Sequence, residues 1–364
     1  MSAVHEKTAR EPLCHIVKRS AVSRRKALLI RAIAVAAALI VSALLIAVLA
    51  KLNPIEFYKA MVEGAFGTKR RVWLLVYKMA ILLCISLAVT PAFKMRFWNI
   101  GAEGQVLVGG LATAAVMFYF GGKIPLPALY ILMTAAAIFA GMLWAMLPAI
   151  CKAQWNTNET LFTLMMNYVA IQLVSFFVNT WVTSATGTLP PMYDYALPTV
   201  VNDWLLNIVI VAVITVAIYI YLRFSKHGYE ISVVGESENT ARYIGINVKK
   251  VIIRTMMLSG ALCGVAGLLL VGGTDYTVST TTAGGQGFTA IMVSWLGKFN
   301  PLVMVVTTFL IVFMQVGANQ VSSTFRINDS ISDIITAVIL FFIIGCEFFI
   351  NYKIVFRKSA KEVK

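Results

Sequence analysis

The apolar residues of this chain are gathered into runs about as long as a bilayer is thick, and that limits what it can fold into. The runs lie near residues 27–50, 72–93, 105–120, 128–150, 161–183, 205–222, 255–273, 288–297, 301–320 and 332–350. A helix needs roughly 20 apolar residues to cross the hydrocarbon core, about twice what a tilted barrel strand needs. Lipid offers no partner for backbone N–H and C=O groups, so such runs must satisfy them internally, as helices. The expected fold is an all-α integral membrane protein of about ten transmembrane helices. Composition agrees, with 59% hydrophobic residues against 13% charged in 364, where soluble domains hold about 45–50% apolar residues.

Charge fixes the expected orientation. Lys18, Arg19, Arg24, Arg25 and Lys26 precede the first run, which exceeds the roughly 7–15 residues of a signal-peptide core and reads as a retained span with its amino terminus inside. Ten spans return the chain to the cytoplasm, where Lys353, Arg357, Lys358, Lys361 and Lys364 lie. The expected organisation is a basic cytoplasmic tail over 1–26, a transmembrane domain over 27–352 and a second basic cytoplasmic tail over 353–364, in the cell membrane. Segment 51–71 then falls outside, against the bias, because it holds Lys51, Lys59, Lys69, Arg70 and Arg71. The run 288–297 is too short to cross and reads as a broken or re-entrant piece. The net charge of +15 gathers at span ends and termini, which anionic lipid headgroups explain without nucleic acid.

Enzyme signatures are missing. There is no phosphate-cradling G-x-x-x-x-G-K-[ST] loop, no HExxH pair and no G-x-S-x-G elbow. His5 and His15 lie in the amino-terminal tail and His227 in a basic loop, so no histidine sits in a span to act as a base. The five cysteines are scattered, four of them in or beside apolar runs, and read as small core residues rather than metal ligands or disulfides.

Polar chemistry concentrates in three Gly- or Asn-rich clusters. Asn99-Ile-Gly-Ala-Glu-Gly-Gln105 leads into an apolar helix; Glu103 between glycines suits a helix start, and a simple cap with a loop charge reads equally well. Asn158 can cap a helix that carries Asn167 and Tyr168, an amide and an aromatic able to bond and stack on a polar solute or, alternatively, to join helices. Gly284-Gly-Gln-Gly-Phe288, with Gln286 between glycines, repeats the first pattern ahead of the short run and suggests duplicated halves with broken helices. Asn99, Glu103, Gln105, Asn158, Asn167, Tyr168, Gln286 and Phe288 are thus the candidate lining of a translocation path.

A polar stretch, 223–254, interrupts the apolar pattern with six Lys/Arg against three acids, which places it in the cytoplasm. Within it Gly235 to Gly245 reads as a short amphipathic helix ending at Gly245, capped by Ser237 or Asn239. Such a helix on the membrane face suits docking of a cytoplasmic partner; a solvated loop is the alternative.

These residues resemble a known family: the permease subunits of bacterial ATP-binding-cassette (ABC) importers for nucleosides and simple sugars, relatives of the ribose and branched-chain amino acid permeases. The likeness runs from about residue 70 to 350. It rests on Phe97-Trp-Asn-Ile-Gly-Ala-Glu-Gly-Gln105, Asn158-Glu-Thr with Met166-Asn-Tyr168, Gly228-Tyr-Glu, Val234-Gly-Glu, Ala241-Arg-Tyr-Ile-Gly-Ile-Asn247, Ser259-Gly-Ala-Leu-Cys-Gly-Val-Ala-Gly267 and Gly285-Gln-Gly-Phe-Thr-Ala-Ile291. The resemblance implies a non-enzymatic transport subunit that binds no cofactor itself. Its implied partners are a second permease, a cytoplasmic ATPase carrying ATP and Mg, an extracellular or periplasmic substrate-binding protein and a small-molecule substrate. It implies a coupling helix at Gly235, Glu236, Ser237, Asn239, Arg242 and Gly245, and alternating access driven by the ATPase. The Asn-Ile-Gly-x-Glu-Gly form resembles the nucleoside branch. The rival is a gradient-driven secondary transporter, which would want buried ionisable groups at mid-depth; Lys78 alone lies well inside a run, with Glu347 nearer an end.

Overall fold

A computed structural model describes residues 14–18, 23–182 and 189–356. Calls for structure at Arg357, Lys358, Lys361, Lys364, His5, Arg19 and the first thirteen residues lie outside the described residues. The chain divides into two compact units, Met1–Gly64 with Met314–Lys364, and Ala65–Phe313. Each expected apolar run coincides with a helix. Among the described residues, eight helices are long and apolar enough to cross a membrane.

In the larger unit these are α3 (Lys69–Lys94), α4 (Ala102–Phe120), α5 (Leu126–Trp155), α6 (Glu159–Trp181), α7 (Leu205–Phe224) and α10 (Val248–Leu270), which runs on through a π turn to Asp275. The seventh, α12 (Pro301–Phe325), contributes its first half here. Among its described residues the unit also holds three shorter α-helices, α8 (Lys226–Glu236), α9 (Glu238–Tyr243) and α11 (Gln286–Leu296), and a 3-10 turn at Tyr193–Tyr195. At about 1.5 Å per residue, the 11 residues of α11 span roughly 16 Å, half a bilayer core.

Helices α3, α4 and α10 form the interior, each about seven-tenths buried over its most apolar window, whereas α5, α6 and α7 are buried over less than three-tenths. Lipid is as apolar as leucine, so contact between spans comes from close backbone approach instead of hydrophobic driving force. A methyl group on Gly264 of α10 would fall on the carbonyl of Ala137 in α5, and one on Gly260 would fall on the carbonyl of Gly141. Gly109 of α4 meets the same α10 seam at Gly264. Small residues thus let α10 lie directly on both neighbours.

The smaller unit holds α1 (Arg24–Leu45), α2 (Pro54–Phe66, whose last two residues belong to the larger unit), residues 314–325 of α12 and α13 (Asp329–Asn351). Helix α1 packs along α13. Segment 51–71, expected as a loop, contains α2: Phe57, Ala60 and Met61 are buried at helical spacing, and Met61 rests on Gly317. Two short strands, β1 (Cys14–Lys18) and β2 (Tyr352–Phe356), pair antiparallel with Ile16 opposite Ile354. The segments expected as tails therefore meet.

Candidate functional site

Helix α4 starts deep inside the larger unit. After α3 ends at Lys94, residues 97–100 are non-helical, and Asn99 reaches Ser259 Oγ through its side-chain N–H₂ at 3.1 Å. Ser259 lies eleven residues along α10 and four residues, roughly 6 Å at about 1.5 Å per residue, into its apolar run from 255. A helix beginning at that depth exposes free amide N–H groups that neither water nor lipid can satisfy. Its neighbours supply the acceptors. Asn167 Oδ1 on α6 accepts from Gly104 N at 2.8 Å, while its Nδ2 donates to Ile100 O at 2.9 Å. Thr163 Oγ1 accepts from Ile100 N, and Asn99 Oδ1 accepts from Gly101 N and from Gln105 Nε2.

Helix α11 starts in the same region and is capped in the same manner. Its N-cap is Gly285, at φ +74°, with no side chain to offer. Glu103 supplies the acceptor from across the fold: Oε1 takes Gly285 N–H at 2.7 Å and Oε2 takes Gly287 N–H at 2.8 Å. A methyl group on Gly287 would collide with the backbone N of Glu103, so glycine is what permits the approach. A carboxylate accepting two amides at a helix start gains from the positive dipole end as well. Glu103 was expected to serve its own helix start; it serves the other cluster's helix. Thr90 on α3 bonds Ser294 at 2.9 Å, anchoring the far end of α11.

The candidate path residues therefore fall into groups. Asn99, Glu103, Gln105 and Asn167 form one buried network. Gln286 adjoins it, its Oε1 buried and without a hydrogen-bond partner among the described residues. Phe288 is half-exposed on α11. Asn158 stands apart as the N-cap of α6, accepting from Leu161 N, and Tyr168 points away from Asn167 with 59% of its surface exposed. Sequence reasoning missed Ser259 and Thr163 as partners, because hydroxyls in apolar helices carry no spacing signal.

The cytoplasmic-type loop is more ordered than expected. The single helix from Gly235 to Gly245 is two helices, α8 and α9, broken at Ser237, which ends one and caps the other by accepting from Thr240 N at 3.2 Å. Ser237 rather than Asn239 is the cap. Gly235 is buried against the Lys94 carbonyl, so it seats α8 on the end of α3 and presents no surface. Arg254 of α10 bonds Glu230 of α8 at 2.8 Å and holds its carboxyl below the usual carboxylate range. Glu236, Asn239, Arg242 and Gly245 are exposed, with Arg242 paired to Glu238 at 3.2 Å and Gly245 at φ +85° ending α9. Tyr243, inside the Ala241–Asn247 motif, is the most exposed apolar side chain of the stretch at 93%, and Phe224, Tyr229 and Ile244 are exposed as well.

Residues 72–344 match the family described as branched-chain amino acid transport system, permease component. The chain is 28% identical over 319 residues to the glucose ABC transporter permease protein TsgB13 of Haloferax volcanii, covering 83% of each. It is 30% identical over 295 residues to the guanosine ABC transporter permease protein NupP of Bacillus subtilis, covering 79% of this chain and 84% of that one. The nucleoside ABC transporter permease protein NupB of Lactococcus lactis is 26% identical over 327 residues, 86% and 88% of the two chains. Several membrane-length apolar helices, helix starts capped inside the fold and a family match over most of the length agree: the chain belongs to the branched-chain amino acid transport system permease family and is a permease of the ABC transporter class.

Proposed function

We propose that this chain imports nucleosides, as one of two permeases working with a cytoplasmic ATPase that carries ATP and Mg and with an external substrate-binding protein. The observation that carries the reading is mechanical continuity. Exposed Tyr243, Ile244, Glu236 and Arg242 stand on α8 and α9, which are fixed to α3 by Gly235 and to α10 by the Glu230–Arg254 pair. The same α10 carries Ser259, the partner of Asn99, in the buried network from which α4 and α11 start. A push at α9 is thus delivered through α8 and α10 to the buried starts of α4 and α11. ATP binding moves α8–α9, α10 follows, and the path bounded by the Asn99 to Gln105 network and by Gln286 and Phe288 opens to the other face.

The nucleoside reading is supported by the guanosine and nucleoside relatives and by a path rich in amides and hydroxyls and poor in charge, which suits an uncharged polar solute. The glucose relative favours a sugar as the second reading. The cytoplasmic placement of both termini is supported by the basic tails and by the β1–β2 pairing, which holds the two ends on one side. The test is uptake of labelled guanosine and glucose in cells with and without the chain, with ATP and membrane potential depleted separately. ATP-dependent guanosine uptake lost on deletion supports the proposal; loss of glucose uptake alone moves the substrate, and loss that tracks membrane potential overturns the ATP-driven reading.

A further inference from the structure

Between α10 and α11 the chain is non-helical from 276 to 285, and Thr280, Thr281 and Gly284 are exposed along it. Its first residues bond the loop that precedes α7, with Met192 N–H donating to Tyr276 O at 2.8 Å and Thr277 Oγ1 to Leu189 O at 2.7 Å, and it ends at Gly285, held by Glu103 within the buried network. Irregular backbone at such depth is stable only where it is buried in protein or borders water, because hydrocarbon satisfies none of its polar groups. The exposed side of this segment therefore borders water or the second permease of the proposed pair. The same side continues down α11. Phe288, Met292 and Trp295 are exposed at 43%, 39% and 49%, spaced by four and then three residues, so they share one face. Trp295 lies against Trp98, ring centroids 5.4 Å apart at 35°, and Trp98 is itself 44% exposed. Phe93 and Phe299 brace the pair from behind, edge-on to Trp295 at 6.3 and 5.6 Å.

We propose that this face, from Thr280 through Met292 to Trp295 and Trp98, is the wall of the solute path, and that the tryptophan pair stacks on the flat ring of the passing solute. The wall rests on the backbone argument together with the exposed face of α11, and burial against the second permease is the outcome that the labelling distinguishes from it; the stacking rests on the nucleoside reading. A hydroxyl-bearing turn followed by braced indoles matches a molecule with a polyhydroxyl part and a heterocyclic part. Aromatic rings fixed before the solute arrives lose little freedom in binding it.

Two measurements on the complete transporter in membrane vesicles test this. Thr280→Cys, Met292→Cys and, for comparison, Phe139→Cys on the regular, exposed helix α5 are treated with a charged, membrane-impermeant thiosulfonate and with a lipid-soluble maleimide. The wall requires Thr280→Cys and Met292→Cys to react with the charged reagent, more slowly with nucleoside present, while Phe139→Cys reacts with the lipid-soluble one only. Reaction of the two path positions with the lipid-soluble reagent only, or with neither, overturns the wall. For stacking, uptake of uridine is compared with dihydrouridine, which keeps the ribose and loses the flat ring. The expected preference for uridine is about tenfold, falling to near one in Trp295→Ala and retained in Trp295→Phe. Equal uptake in the unaltered transporter, or an unchanged preference in Trp295→Ala, overturns the stacking. A transporter that carries no nucleoside refutes the substrate reading and the stacking together, and the labelling still decides the wall.

Discussion

Glu103 shows how one side chain can hold a helix that cannot hold itself. It accepts the amides of Gly285 and Gly287, which lie more than 180 residues away. Glu103→Gln keeps the size but leaves one amide facing an N–H₂ group. Uptake is expected to fall about tenfold or more, as for loss of a charge-assisted hydrogen bond; Lys123→Gln, at an exposed loop position, is expected to leave uptake unchanged. Equal effects in a transport assay would contradict the capping role. Residues of this kind were legible in the sequence as polar clusters bracketed by glycine. Their partners were not, because tertiary capping pairs residues with no fixed spacing, and Asn167 with Gly104 is a second instance. Tyr243 stood inside the Ala241–Asn247 motif, but its exposure was not legible, since a lone aromatic in a polar loop has no pattern to set it apart.

At the scale of elements, the apolar runs translated directly into helices, because length and hydropathy alone decide a span. Helix α2 was missed: Glu56, Lys59 and Glu63 dilute its hydropathy, although Phe57, Ala60 and Met61 already stood at helical spacing. Helix α8 was hidden similarly, with Ile231, Val234 and Gly235 as its buried stripe. Packing between elements depends on glycine at backbone contacts. Gly264→Ala, which drives a methyl into the Ala137 carbonyl, is expected to cost about 1–3 kcal/mol, read as a lowered melting temperature in detergent. Gly345→Ala, with open space around it, is expected to be silent.

The α8–α10 link carries its own pH signature. Because the folded carboxyl of Glu230 is held below its ordinary range, chiefly by its hydrogen bond from Arg254, the pair's contribution is present above that ordinary range and lost as pH falls through the lower folded value. Between about pH 5 and 8 tryptic cleavage at Arg242, taken relative to cleavage of an unstructured control peptide at the same pH, should therefore be constant, whereas Glu230→Gln should raise it throughout that window. A relative cleavage rate in the unaltered chain that climbs on going from pH 8 to 5 would contradict the pairing.

Across the whole molecule, motion imposed at α9 has a route to α4 and α11 through α10, and function depends on that route being stiff. Replacing Glu236 and Arg242 together, or Tyr243→Asp alone, is expected to abolish ATP-driven uptake while membrane insertion and the melting temperature stay unchanged, since these side chains are exposed and touch no buried element. The most direct measurement is nucleoside uptake in vesicles that contain the permeases, the ATPase and the binding protein, with ATP supplied inside and no ion gradient. The account predicts uptake that requires ATP, stops with Tyr243→Asp and survives collapse of the membrane potential. Uptake without ATP, following an imposed proton or sodium gradient and indifferent to Tyr243→Asp, would contradict it.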